Sequence, residues 1–215
     1  MDAYKPTPRT RLKRLPKRAH YDRATVHAIL DAGFVCHVGY AIEGQPYVTP
    51  TTYWRHEDRV YWHGSSASRM QKRAAREQVC LTVTLTDGMV LARSGFEHSV
   101  NYRSVMVFGQ AEVVADAAKT AHLRAMMDQM FPGRWDQLRP ITAQEVKATR
   151  ILSLPLTEAS AKISAGPPTD PPEDCAWPVW AGVIPIRLIV GEPVPAPDLA
   201  PDLPVPDHAK GYSIG

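Results

Sequence analysis

The chain has 215 residues, 44% of them hydrophobic and 22% charged, the balance of a globular domain long enough for a sizeable core. No apolar run approaches the roughly 20 residues that a bilayer span requires, and the polar, basic N-terminus does not resemble a secretory leader. The three cysteines, Cys36, Cys80 and Cys175, are odd in number and widely spaced, which argues against a disulfide framework and for a soluble, cytoplasmic protein.

The net charge of +3 hides an asymmetry. Residues 1–20 hold Lys5, Arg9, Arg11, Lys13, Arg14, Lys17 and Arg18 against Asp2 alone. Pro6, Pro8 and Pro16 break any long amphipathic helix, and only Tyr4 offers a stacking ring, so membrane and nucleic-acid binding are both disfavoured. An extended arm packed on the domain or on a partner subunit is expected instead. Asp22 then caps a helix with Val26, Ile29 and Leu30 on one face and Gly33 as its stop. Strands follow at 34–42 and 47–54, joined by a Glu43-Gly44 turn, and at 60–62. Pro50 cannot donate to a ladder and marks an edge, a bulge or a ligand's approach.

A helix is expected from Ser66 to about Arg76, with Ala67, Met70 and Ala74 buried and Arg69, Arg73 and Arg76 beside them. Residues 79–86 and 89–92 read as a hairpin about Asp87-Gly88, and 102–114 as a long strand. Asp116 caps a helix to about Met130, with Leu123, Met126, Met127 and Met130 facing inward. Thr142 and Glu145 make a capping box, and 151–156 reads as a strand. Twelve of the 20 prolines lie between Pro167 and Pro206, where only 179–190 looks strand-like. The parts are a basic arm (1–20), a single domain (21–190) and a Pro-rich tail (191–215). The fold class is mainly β with added α: antiparallel strands in a barrel with peripheral helices.

The segment from Tyr61 to Met70 concentrates the chemistry. A strand end runs through His63, Gly64 and three serines, Ser65, Ser66 and Ser68, into a helix opening on Arg69. Free N–H groups, hydroxyls and a guanidinium there suit a phosphate; the plainer alternative is a serine cap on a surface helix. The eight histidines are scattered without metal-ligand spacing, and Cys36 and His37 point to opposite faces of their strand, so no metal site is expected. No Gly-x-Ser-x-Gly elbow and no Gly-x-Gly-x-x-Gly fingerprint occurs.

Two flanking blocks, Gln45 to Trp54 and Asn101 to Glu112, together with this segment resemble the FMN-binding split-barrel superfamily of pyridoxamine-phosphate oxidase-related proteins. Within it, the nitroimidazole-resistance-type flavoproteins are the branch most alike, and the resemblance runs from about Arg9 to about Pro185. It implies an antiparallel split β-barrel, FMN as cofactor and a homodimer with the flavin at the interface. By position, Thr49, Pro50, Thr51 and Thr52 border the ring and His63, Gly64 and Ser65 approach the ribityl chain. Ser68 and Arg69 hold the phosphate, and Lys72 or Arg73 supplies the basic residue that the family often places where Met70 stands. Arg103 and Ser104 reach the cofactor from the dimer side, Lys162 binds an anion, and Trp180 covers the flavin or plugs the barrel end.

The aromatic-Trp-Gln-Gly segment and Arg-x-His clamp of true pyridoxamine-phosphate oxidases are replaced by Trp180-Ala181-Gly182 and a proline tail, so vitamin B6 oxidation is not expected. The resemblance implies an FMN oxidoreductase that reduces a small electrophile such as a nitro compound. His63 is its candidate acid, because an imidazole titrates near neutrality. A non-catalytic flavin-binding protein and a barrel using haem or a deazaflavin are the alternatives.

Overall fold

A computed structural model describes residues 2–200 and 202–214; Met1 of the arm and Pro201 and Gly215 of the tail lie outside them. The arm leads into β1 (Ala19–His20) and α1 (Arg23–Asp31), then β2 (Val35–Ile42), β3 (Gln45–His56) and β4 (Arg59–Ser65). A short α2 (Arg69–Ala74) precedes β5 (Gln78–Leu91), β6 (Ser99–Gln110) and β7 (Glu112–Val113). Next come α3 (Asp116–Met130), α4 (Ala143–Ala148), β8 (Thr149–Pro155) and β9 (Ala159–Ser164). The last elements are β10 (Gly182–Pro185) and α5 (Asp207–Lys210).

The strands form one antiparallel sheet in the order β1-β9-β6-β5-β2-β3-β4-β8-β7, with β10 added to β5. Alternation sends one face of each long strand inward. Cys36 and Val38, Tyr53, Val60 and Trp62, Leu81 and Val83, Val105 and Val107, and Leu152 and Leu154 all enter one buried cluster. A sheet whose distant strands share a core is wrapped around it, as a barrel. Helix α1 adds Val26, Ile29 and Leu30 to that core, and α2 adds Met70 and Ala74. The barrel is split at β3, which pairs β2 along 45–52 but β4 only along 53–56. Pro50 falls in the stretch with a partner on one side, where its missing donor is not needed. A second cluster of Trp54, Tyr61, Val114, Leu123 and Ile151 lies outside the barrel beneath α3.

Local signals hold where they are short-range. Asp22 accepts from the Thr25 amide at 2.8 Å to cap α1, and Thr142 and Glu145 form their reciprocal box at α4. Glu43 and Gly44 both have positive φ, 52° and 79°, as a two-residue turn between twisted strands requires.

Four expectations are corrected. Asp87-Gly88 is no hairpin: β5 continues through it because β6 pairs both halves, and Asp87 becomes the extra residue of a bulge between Thr86 and Gly88. The helix expected from Ser66 begins only at Arg69, leaving Ala67 exposed. The strand expected over 102–114 breaks after Gln110 to release β7 toward β8. Asp116 is the first residue of α3, and the cap position belongs to Ala115.

The arm packs on the domain. Tyr4 is 5% exposed and donates its hydroxyl to Asp58, which also pairs with Arg23 at 2.5 Å, while Arg9 reaches Glu158. The tail is extended and returns over α3, where Tyr212 stacks on Phe131 at 5.4 Å.

Candidate functional site

The turn between β4 and α2 is held by its own backbone. The Ser66 amide donates to the Ala148 carbonyl at 2.8 Å and the Ser68 amide to the Ser65 carbonyl at 2.9 Å. Ser68 caps α2 without using its side chain, so its hydroxyl is free for a ligand. A six-residue helix has a weak dipole end, and anion binding here falls to side chains. Arg69 lies 4.7 Å over the Tyr47 ring. Arg150 stands opposite Gly64 on β8, with Lys147 on α4 just before it and Lys72 and Arg73 on α2. Among the described residues none of these five cations has a carboxylate partner. Like charges placed around one turn repel, a cost that a bound anion lowers.

Gly64 is small for a reason. A Cβ there would come within 2.7 Å of the Gln71 amide nitrogen, and Gln71 is fully buried with neither amide atom hydrogen-bonded. Buried amides left unpaired are costly, and this one sits directly under the turn.

Beside the turn lies an uncovered sheet face. Register and alternation place Ser160, Met106, Thr82, His37 and Pro50 in one row across five strands. Lys162, Ser104 and Thr84 form a second row, and Gly39 and Cys80 extend the surface past the first. Thr82, Thr84, Ser104, Gly39 and Pro50 are short, so between the longer His37, Met106 and Lys162 the face is a shallow platform, with Ser160 buried at its end. Thr52 lies on the same face at its β4 side, next to His63 by alternation from Trp54 and Tyr61. His63 thus stands where the platform meets the cluster under α3, its ring 6.1 Å from Trp54.

The expected residues therefore divide. Pro50, Thr52, His63, Ser104 and Lys162 share the outer face, and Gly64, Ser65, Ser68, Arg69 and Lys72 surround the turn. Thr49 and Thr51 point to the barrel side with Val38 and Cys36, Thr49 lying 3.3 Å from the Tyr40 hydroxyl. Arg103 is engaged by Asp87 through three hydrogen bonds of 2.8–3.2 Å on the face opposite Ser104. Trp180 does not plug the barrel: it is 63% exposed and its ring lies against Gly182, which pairs with Leu91 at the end of β5. His37, Thr82 and Thr84 were missed by sequence reading. The alternation of β5 was visible, but only the pairing of five strands shows that its threonine face is continuous with His37.

Burial lowers the His63 pKa below its ordinary value, and its Nδ1 has no partner, so the ring is neutral at pH 7. The unfolded chain binds a proton near pH 6.5 where the folded chain does not. Its contribution to stability is complete above 6.5 and is lost as the pH falls through the lower folded value. Urea midpoints at pH 7.5 and pH 5 should show a smaller acid loss in His63→Gln than in the parent. Equal losses would place the buried proton-sensitive group elsewhere.

The chain belongs to the pyridoxamine 5'-phosphate oxidase family, which matches residues 22–163. Among solved structures it is similar to the flavocytochrome Anf3 from Azotobacter vinelandii, with 48% identity over 100% of both chains and a TM-score of 0.95. It is also similar to an FAD and haem binding protein from Mycobacterium smegmatis, with 36% identity over 92% of this chain and 98% of that one and a TM-score of 0.88. A 5-nitroimidazole antibiotic resistance protein from Bacteroides thetaiotaomicron shares the fold, at 21% identity over 67% of this chain and 86% of that one and a TM-score of 0.55. Comparison with curated proteins returned no match. No helix among the described residues is long and apolar enough to cross a membrane.

Proposed function

We propose that this chain is a flavin-dependent redox protein of flavocytochrome type, binding a flavin on the β2–β3–β5–β6–β9 platform and haem at a second site. The observation that carries the flavin is the exposed strand face bearing Pro50, Thr52, Thr82 and Ser104, beside a turn whose five cations have no carboxylate partner among the described residues. The ring lies over His37, Pro50, Thr52 and Thr82, with Ser104 and Lys162 at its far side. The phosphates lie at Ser65, Ser68 and Arg69. The phosphate monoester of FMN and the diphosphate of FAD carry similar charge, about two negative charges each, so the cations suit either, and it is a relative's description that favours FAD over the FMN expected from sequence. The Mycobacterium smegmatis relative is described with FAD. A bound flavin supplies the electron transfer, and the protein supplies position and electrostatics. His63, at the platform's border, handles the proton. Extracting the ligand from purified protein and weighing it by mass spectrometry tests this: FAD is expected, FMN would restore the cofactor expected from sequence, and no flavin would overturn the reading.

Val48 is 67% exposed and Val35 and Met106 are each 40% exposed on the same outer face. An apolar, uncovered sheet face beside an open site suits a second copy related by twofold symmetry. Light scattering at micromolar concentration should give a dimer, and a flavin-loaded monomer would refute it. The nitro compound expected as acceptor rests on a likeness of fold alone. His63→Gln with unchanged flavin content and a slowed reduction of a nitroaromatic across pH 6–8 would support both it and the role of His63.

The haem half rests on the two relatives described as a flavocytochrome and as FAD and haem binding.

A further inference from the structure

Residues 11–18 carry Arg11, Lys13, Arg14, Lys17 and Arg18 and no acidic residue. The stretch is held at both ends. The Leu12 amide donates to the Tyr21 hydroxyl at 3.2 Å, and the Arg11 amide to the Thr7 carbonyl at 2.9 Å. A 3-10 turn at Pro16–Arg18 then leads into β1, which pairs with β9. Among the described residues none of the five cations has a carboxylate partner, and all but the half-buried Arg18 are exposed. Between them Leu15 is 45% exposed and holds a left-handed backbone with φ of 55°, unfavourable for a residue with a Cβ. The stretch is a fixed basic ridge with an apolar side chain at its centre.

This ridge adjoins the platform. The row of Thr84, Ser104 and Lys162 ends on β1 at Ala19, opposite Lys162 and next in the chain to Arg18. Ala19 is two strand spacings from Ser104, roughly 10 Å. We infer that the ridge docks a small acidic electron-carrier protein, such as an iron–sulfur protein, beside the bound flavin. The inference rests on the flavin reading above and adds the partner that reduces it. Each docked carrier gives up one electron as its iron is oxidised, and two encounters with one proton from water reduce the flavin by two electrons. Fixed charges of one sign steer an oppositely charged protein into place, and an apolar contact ringed by polar groups is how protein interfaces are built. A single-stranded nucleic acid would need a stacking ring, and Tyr4 is only 5% exposed. A lipid surface would need an amphipathic helix, and the helical turn here has three residues.

The flavin-loaded, full-length protein is titrated with an acidic [2Fe–2S] ferredoxin by calorimetry, at low and at physiological salt, and its reduction by reduced ferredoxin is timed by stopped flow. Binding should weaken as salt rises. In the double variant Arg14→Glu, Lys17→Glu affinity should fall roughly tenfold or more, with flavin content and the rate of reduction by dithionite unchanged. Leu15→Gly, which suits the left-handed backbone and so keeps the fold, should lose several-fold in affinity at either salt. A flavin-loaded parent that binds no ferredoxin, or variants that both match the parent, would overturn this inference alone. Binding to duplex DNA or to phosphatidylserine vesicles with ferredoxin left unbound would also overturn it. Protein that carries no flavin overturns the flavin reading and this inference with it.

Discussion

Replacing Trp62 with alanine is expected to lower the free energy of unfolding by about 3–5 kcal/mol, a large part of what a domain of this size has. Trp62 is fully buried in the barrel core on the inner face of β4, between its pairings with Tyr53 on β3 and Leu152 on β8. Alanine leaves a cavity where the split barrel relies on few strands to close. The indole Nε1 has no hydrogen-bond partner, so Trp62→Phe discards an unsatisfied donor while keeping most of the packing. Urea unfolding should therefore place Trp62→Phe well above Trp62→Ala. Two equal losses would show that the indole N–H, through a bridging water, contributes more than the ring's volume.

Arg69→Ala is expected to weaken flavin binding ten- to a hundredfold, the effect of losing a charge-assisted contact of about 1.5–3 kcal/mol. Arg69 lies over the Tyr47 ring rather than against a carboxylate, so bound phosphates would be its ionic partner, and its removal leaves no buried charge behind. Stability without flavin should change little, since Arg69 is exposed. Arg69→Lys keeps the charge but loses the planar fork and should recover part of the affinity. A fluorescence titration of flavin into the apo protein measures all three. Parent-like affinity in Arg69→Ala would move the phosphates off this turn.

The contrast between Asp22 and Asp87 shows what kind of information a sequence holds. Asp22 caps α1 through an amide three residues away, and the Thr142–Glu145 box spans the same distance. Contacts of that range are decided by adjacent residues, so their pattern is legible without the fold. Asp87-Gly88 has the local chemistry of a turn, yet β6 and β10 hold the chain straight through it. Pairing along a whole strand outweighs the preference of two residues, and the surplus residue is absorbed as a bulge. Asp87 is thereby positioned to bind Arg103, which occupies the arginine that sequence reading assigned to the cofactor.

By itself the sequence determined the β-rich class, the β4–α2 turn with its serines and Arg69, the Asp22 and Thr142 caps and the family. Each depends on short spacing or on alternation within one strand. The tertiary structure alone decided the rest. It divided Thr49 and Thr51 from Pro50 and Thr52 and joined His37, Thr82, Ser104 and Lys162 into one face. It also drew Arg150 to the turn by pairing β8 with β4 and folded the proline tail over α3. Those choices rest on the register of strands up to about 125 residues apart in the chain, as between His37 and Lys162. Register is set by the burial of many side chains at once, which no local stretch of residues encodes.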